Sequence, residues 1–361
     1  MYDFSRKGIG SIKLYVPGKP IEEVQREYGL THIVKLASNE NPLGVSRLAL
    51  EAMKNELEKS YLYPDPTSLP LRIRLGNDFS VPPDDIVVSN GMDNILFMIE
   101  QAFLNEGEEV LTCAPSFATY YIGCVIMGGK YVTVPLRDSV FDLDAIKAAI
   151  TDKTKIIFIC NPNNPTGTIV TKSEVEKFMK DIPPHVIVVF DEAYAEFVSE
   201  ESYPQGMDYV RAGANVIVTR TFSKLYGMAG NRVGFAIAKP HIMNTLKRVA
   251  EPFPVNRIAQ AGALAALDDF EFADRVRESN ANGIVYLTDA LTELNCTVSP
   301  AFGNFIWVDV KKSSKELEPK LLSRGIIVRP GHLWDYPTHL RVSIGTEEQN
   351  AEFIKVIKEL L

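Results

Sequence analysis

The sequence predicts an α/β protein in which a mainly parallel sheet is covered by helices and followed by a smaller α+β lobe. Three observations carry this. Short runs rich in β-branched residues recur between residues 85 and 222, with helical patterns between them. These runs are apolar almost throughout, as in strands buried on both faces, and do not alternate as strands wet on one side do. The texture changes after about residue 255, where an Ala-rich helical stretch leads into further strand-like runs. A chain of 361 residues also exceeds one ordinary core of roughly 100–200 residues, so two lobes are expected.

In order along the chain, the strand runs are DIVVSN (85–90), EEVLTC (108–113), KYVTVPL (130–136), TKIIFIC (154–160), HVIVVFD (185–191) and NVIVTRTF (215–222). Between them, NILFMIEQAFL and DLDAIKAAI carry apolar residues at helical spacing. Such alternation implies parallel pairing, because a parallel neighbour needs a crossover long enough to hold a helix. In the second lobe GNFIWVDV, GIIVRPG and HLRVSIG read as strands. The chain closes on TEEQNAEFIKVIKELL, where Thr346 and Gln349 have capping-box spacing and Phe353, Ile354, Ile357 and Leu361 line one face. Residues before about 44 are rich in Gly and Pro and have no sheet slot, which assigns them to the second lobe or to a subunit contact. The expected division is 45–255 for the large lobe, and 1–44 with 256–361 for the small lobe and its N-terminal arm.

Composition narrows the function classes. A formal charge of −8 argues against a nucleic-acid surface, which needs clustered Lys and Arg to displace counterions from phosphates. The N-terminus MYDFSRKGIGSIK has no apolar signal core, and the longest aliphatic runs fall far short of the ~20 residues of a membrane span. A cytoplasmic protein with small-molecule ligands is expected. Cys113, Cys124, Cys160 and Cys296 form no C-x-x-C pair and read as reduced core thiols. The histidines are scattered without ligand spacing, so no metal site is expected. Two glycine motifs resemble phosphate loops and fail. GIGSIK (8–13) has no preceding strand and lacks a third glycine, and GCVIMGGK (123–130) has Gly129 where a Walker loop needs its lysine.

In an open α/β sheet, ligands bind beyond the carboxyl ends of the strands. The residues found there are consistent with one site. Asn90-Gly91-Met92-Asp93 is a glycine turn opening a helix, whose free N–H groups suit a phosphate. Pro115-Ser116-Phe117 presents an aromatic ring, and NPNNPTG (161–167) forms a rigid turn carrying amides. Asp191-Glu192-Ala193-Tyr194 follows the next run, and Ser223, Lys224 and Arg232 follow the last. Each has an ordinary explanation alone, as a loop, a cap, a core ring or a solvated lysine; their common placement at strand ends does not.

At these residues the chain resembles the fold-type I pyridoxal-phosphate aminotransferases, and among them is most similar to the histidinol-phosphate aminotransferases. The stretches that carry the resemblance are LYVPGKP (14–20), KLASNENPLG (35–44), YPDP (63–66), NPNNPTG, DEAY (191–194), TFSKLYGMAGNRVG (221–234), GNF (303–305) and LRVSIGT (340–346), collinear over nearly the whole chain. The resemblance implies a three-layer fold with pyridoxal 5'-phosphate as cofactor. Lys224 would form the Schiff base and move the substrate proton, Asp191 would pair with the ring nitrogen, Tyr194 and Asn164 would bond the phenolic oxygen, and Phe117 would stack on the ring. The phosphate would be held by backbone N–H groups at Met92 and Asp93, by Ser223 and Arg232, and by Tyr63 reaching across a homodimer. Arg341 and Arg329 would bind the anionic end of the substrate, with Tyr15 and Asn304 lining that pocket.

These residue types suit the chemistry. A carboxylate about 4 Å from a ring nitrogen is worth about 4 kcal/mol at an effective dielectric near 20, enough to raise the nitrogen's pKa by about 3. A primary amine alone makes a reversible imine and, once displaced, stays beside the reacting proton as a base. The implied activity is transamination between histidinol phosphate and 2-oxoglutarate, giving imidazole-acetol phosphate and glutamate in histidine biosynthesis. The stretch VAEPFPVN (249–256), with Ala250 and Glu251, departs from the family pattern on the substrate side, as Met92 does in the phosphate turn. An aromatic or broad-specificity aminotransferase and a same-fold decarboxylase therefore stay open. A non-catalytic binding protein would have no need of Lys224, Asp191, Asn164 and Arg232 together.

Overall fold

The computed structural model describes residues 4–12 and 18–361. Its strands in chain order are β1 (Val34–Lys35), β2 (Ile86–Asn90), β3 (Glu109–Ala114), β4 (Lys130–Pro135), β5 (Thr154–Cys160), β6 (Ile187–Asp191), β7 (Val216–Thr221), β8 (Val233–Ala238), β9 (Thr297–Val298), β10 (Phe305–Asp309), β11 (Ile326–Ile327), β12 (Arg329–Pro330) and β13 (His339–Ser343). The larger sheet has the order β2-β8-β7-β6-β5-β3-β4. Its pairings are parallel except the two made by β8. Each predicted run in the large lobe lies in this sheet.

β8 has no counterpart among the predicted runs, because Gly234, Ala236 and Ala238 dilute the β-branched signal. It matters for function. By returning antiparallel to β7, it brings Arg232 back beside the strand end from which Lys224 departs. Register does the rest: Cys160 of β5, Asp191 of β6 and Thr219 of β7 stand side by side. Val188, Val189 and Phe190 ahead of Asp191 are fully buried. At roughly 1.5–3 kcal/mol for each such side chain, their burial supports a strand that ends on a buried carboxylate.

The second sheet, β12-β13-β10-β9, is antiparallel and has two distinct faces. Ile306, Val308, Leu340 and Val342 pack with Leu287, Leu291, Phe353 and Ile357 in a separate apolar cluster. Phe305, on the alternate face, joins the core of the larger sheet. The terminal helix Glu347–Leu360 starts with the predicted capping box: the Gln349 amide donates to Thr346 Oγ1 at 3.3 Å, and the Thr346 amide donates to Gln349 Oε1 at 3.0 Å. Phe353 and Ile357 are buried, as is Val356, while Ile354 and Leu361 are half-buried.

Two expectations change. The segment before residue 44 does have a sheet slot, since Val34 and Lys35 pair in parallel with Ile326 and Ile327. A two-residue strand is too short to leave a periodic signal. The helix Arg257–Ala266, expected in the small lobe, packs Ala259 and Ala263 into the larger core. Its partner is the helix Arg47–Glu56, and a Cβ on Gly262 would lie 2.7 Å from Met53 Cγ, so any larger residue would require the methionine side chains there to shift. The GCVIMGGK glycines fall in and just after the helix Thr119–Met127, outside any strand-to-helix phosphate turn. All four cysteines are buried and unpaired, and no helix among the described residues is long and apolar enough to cross a membrane.

Replacing Thr346 by Ala is expected to remove the cap and cost about 1 kcal/mol, read as a lowered urea midpoint with an unchanged slope.

Candidate active site

A cavity of about 240 Å³ opens beyond the carboxyl ends of β5, β6 and β7. Met92, Asp93, Phe117, Asn164, Asp191, Tyr194, Ser223, Lys224, Arg232, Arg329 and Arg341 all line it, so the geometry brings together eleven residues singled out in the sequence. They arrive from the large sheet, from the turns after it and from the smaller sheet.

Asp191 is 1% exposed. Burial raises its carboxyl to about 6, against the opposing effect of two donors, the Tyr120 hydroxyl at 2.5 Å and the Ala193 amide at 3.2 Å. Tyr120 was not foreseen. It sits in the first turn of its helix, three residues beyond Phe117, and stacks on Phe158 with ring centroids 4.2 Å apart. A buried tyrosine must place its hydroxyl, and here the carboxylate accepts it. Phe117 lies outside this helix and meets the Tyr120 ring edge-on at 5.9 Å, a contact that no periodic pattern marks in the sequence.

Lys224 is partly buried, and its Nζ donates to the Ser38 carbonyl at 3.3 Å and lies 5.6 Å from the Tyr194 ring centre. Burial, with the Arg341 charge second, lowers its amine to about 8. Tyr194 accepts a bond from Asn39 Nδ2 at 3.0 Å, and burial pushes its phenol upward.

The opposite end of the cavity is built for an anion. Gly91 opens the helix Gly91–Phe103 with φ of 78°, and a Cβ there would lie 2.5 Å from Arg232 Nη2. Glycine therefore lets the helix start press against the guanidinium, with Met92 and Asp93 in the wall. Arg232 is held by Asp93 at 3.1 Å and by the Ala229 carbonyl at 3.1 Å. Thr221 Oγ1 donates to Ser223 Oγ at 3.0 Å, which orients that hydroxyl.

On the side of the smaller sheet, Arg341 donates to Asn164 Oδ1 at 2.6 Å and to the Ala37 carbonyl at 2.5 Å. Arg329 stands opposite it in register. Asn39 knits this wall to the floor: its Oδ1 and amide bond Ser343 Oγ at 2.8 Å, while its carbonyl accepts from Asn304 Nδ2 at 2.9 Å. Ala37, Ser38, Asn39 and Glu40 all line the cavity. They lie in the stretch KLASNENPLG, whose importance was visible without any role for its members.

Two expected residues are placed elsewhere, and a third is not described. Asn304 is 2% exposed and sits behind Asn39, supporting the wall without lining the cavity. Tyr63 is 78% exposed and stacks on Phe253 at 4.6 Å, outside the cavity of its own chain. Tyr15 lies outside the described residues.

A lysine lowered from 10.5 to about 8 has a neutral fraction at pH 7 roughly 300 times that of a solvated one. Condensation of Lys224 with a simple aldehyde, trapped by reduction and followed by peptide mass, is expected to show a midpoint near pH 8, moving upward in Arg341→Met. A midpoint near that of the other lysines would contradict this geometry.

Residues 31–357 match the family model for aminotransferase class I and II. The chain is 47% identical to the histidinol-phosphate aminotransferase of Moorella thermoacetica over 357 residues, covering 99% of this chain and 92% of that one. It is 45% identical to the Brevibacillus brevis histidinol-phosphate aminotransferase, over 96% of each chain. Among solved structures it superposes with TM-score 0.91 and 26% identity on histidinol-phosphate aminotransferase from Sinorhizobium meliloti in complex with pyridoxal-5'-phosphate, covering 100% of this chain and 99% of that one. A buried carboxylate, a lysine of lowered basicity and paired arginines in one cavity thus occur in a chain that belongs to the class I and II aminotransferases.

Proposed function

We propose that this chain transfers the amino group of histidinol phosphate to 2-oxoglutarate with pyridoxal 5'-phosphate, giving imidazole-acetol phosphate and glutamate in histidine biosynthesis. The observation that carries the reading is the joint presence, in one cavity, of Lys224, Asp191 and the opposed Arg329–Arg341 pair. Relatives that bear this activity in their names at 40–47% identity support it.

The residues fit the cofactor. Among the described residues Asp191 accepts from a hydroxyl and an amide, and burial raises its carboxyl, so a protonated ring nitrogen would supply the charge that offsets that burial. The Gly91 turn, Ser223 and Arg232 form a cradle for a phosphate, and Phe117 offers a ring face. Asn164 and Tyr194 would bond the phenolic oxygen. Bound there, the cofactor supplies an electron-withdrawing ring that makes a substrate Cα–H acidic.

The protein's own groups then do the following. Lys224, neutral in roughly a tenth of molecules at pH 7 by its lowered basicity, serves as nucleophile and then takes up the Cα proton at Nζ. Asp191 holds positive charge beside the ring, and Tyr120 orients that carboxylate. Arg329 and Arg341 offer two guanidiniums to one anionic end, which suits a dianionic phosphate in one half-reaction and a carboxylate in the other. Tyr15 and Asn304 complete this side, Asn304 by holding Asn39. The large lobe carries the cofactor contacts, while the N-terminal segment and the small lobe carry the substrate side.

The working unit is a cytoplasmic homodimer. Tyr61, Leu62 and Tyr63 project into solvent with Phe253, an apolar surface suited to a second copy. Ala250 and Glu251, the departures from the family pattern, lie just before Phe253 and do not line the cavity of their own chain.

Donor preference and variant kinetics test this. Loss of cofactor absorbance on mixing with amino donors should be fast with histidinol phosphate and slow with phenylalanine or tyrosine. Lys224→Ala should lower turnover by about a thousandfold or more, and Arg341→Met should raise KM for histidinol phosphate roughly 10- to 100-fold. The reverse donor preference would favour an aromatic aminotransferase, and release of carbon dioxide a decarboxylase. For the dimer, Lys224→Ala subunits reassembled with Tyr63→Ala subunits should regain about one intact site in four, because random pairing restores one site per hybrid. No recovery would remove Tyr63 from the neighbouring site.

A further inference from the structure

We propose that Trp334 is a positioning residue for the two anion-binding arginines, setting the affinity for the charged end of the substrate. The inference rests on the reading above for the identity of that substrate, and on geometry for the rest. Register places Arg329, Arg341 and Trp307 directly opposite one another across β12, β13 and β10, so their side chains share one face. The arginines are 8% and 6% exposed. Like charges facing each other across strands are destabilising, the more so when buried. Trp334 ends the short 3-10 helix Gly331–Trp334 that links these strands. Its ring centre lies 5.9 Å from the Arg329 guanidinium carbon and 5.5 Å from that of Arg341, within the reach of a cation–π contact to both. The ring is braced in turn by the fully buried Trp307, edge-on at 5.7 Å.

The choice of an indole has a chemical consequence. A carboxylate in its place would also hold the guanidiniums, but it would cancel charge meant for the substrate. The face of an aromatic ring attracts both cations through its quadrupole and adds no negative charge of its own. Trp334 also lines an outer chamber of about 600 Å³ that adjoins the cavity through Phe117, Asn164 and the arginine pair. The ring therefore stands where an incoming anion meets the guanidiniums.

The test uses the cofactor-loaded enzyme and inorganic phosphate as probe. Calorimetric titration is expected to show phosphate binding about tenfold weaker in Trp334→Leu, with Trp334→Phe, which keeps a ring face, within about threefold of the parent protein. KM for the anionic substrates should rise about tenfold in Trp334→Leu with kcat within about twofold and cofactor absorbance unchanged. The chain has two tryptophans, and only Trp334 faces the site, so phosphate should shift the emission of the parent protein and not that of Trp334→Phe. Equal phosphate affinity in Trp334→Leu, equal losses in the leucine and phenylalanine variants, or a fall in kcat at constant KM would each overturn the assignment. Phosphate binding is read without turnover, so a failure here is distinct from a mistaken amino donor.

Discussion

A carboxylate held out of water at the end of a central strand is the constraint on which the rest of this molecule depends. Asp191 is 1% exposed and carries a raised carboxyl because burial penalises its charge. The penalty is tolerable only because β5, β6 and β7 bury an almost unbroken apolar core beneath it, and because Tyr120 and the Ala193 amide donate to its oxygens. The strand end must then stay where it is, since any slip of register would move the carboxylate away from its donors. A buried anion that lacks a full counter-charge is also a standing attraction for a cationic ligand, so the cost of burial is turned into binding.

The same logic operates with opposite sign in the same cavity. Lys224 and the Arg341 guanidinium share the cavity, and burial together with that neighbour holds the amine near 8. Arg329 and Arg341 face each other on adjacent strands. Cations assembled in this way are poorly matched to one another and well matched to an anion. Among the groups that hold them are the Asn164 and Ala37 oxygens, which accept from Arg341, and the Trp334 face. Fold stability is spent locally on a site whose charges are completed by ligands, and the two apolar cores supply it.

Much of this was legible beforehand. Buried parallel strands announce themselves because both faces are apolar, and chemistry at their carboxyl ends follows from how crossover connections direct turns to one edge. Hence Asp191, Lys224, Arg232 and the NPNNPTG turn stood out, Asn164 within that turn being marked by the family resemblance, and the terminal helix was readable down to its Thr346–Gln349 cap. Where the signal failed, a physical reason is at hand. β8 is composed largely of small residues, and β1 is only two residues long. Tyr120 resembles any core aromatic until the carboxylate it serves is seen across 71 positions of sequence.

By itself, then, the sequence determined the α/β class, the edge of the sheet where ligands collect and the residue types present there, because these follow from local periodicity and strand ends. Only the tertiary structure decided which side chains meet. The Asn39 link between Tyr194 and Ser343, the retreat of Asn304 behind the wall, and the indole shared by two arginines all join residues remote in sequence. Contacts of that kind arise from strand register and the packing of one sheet against another, and neither is written in any single stretch of the chain.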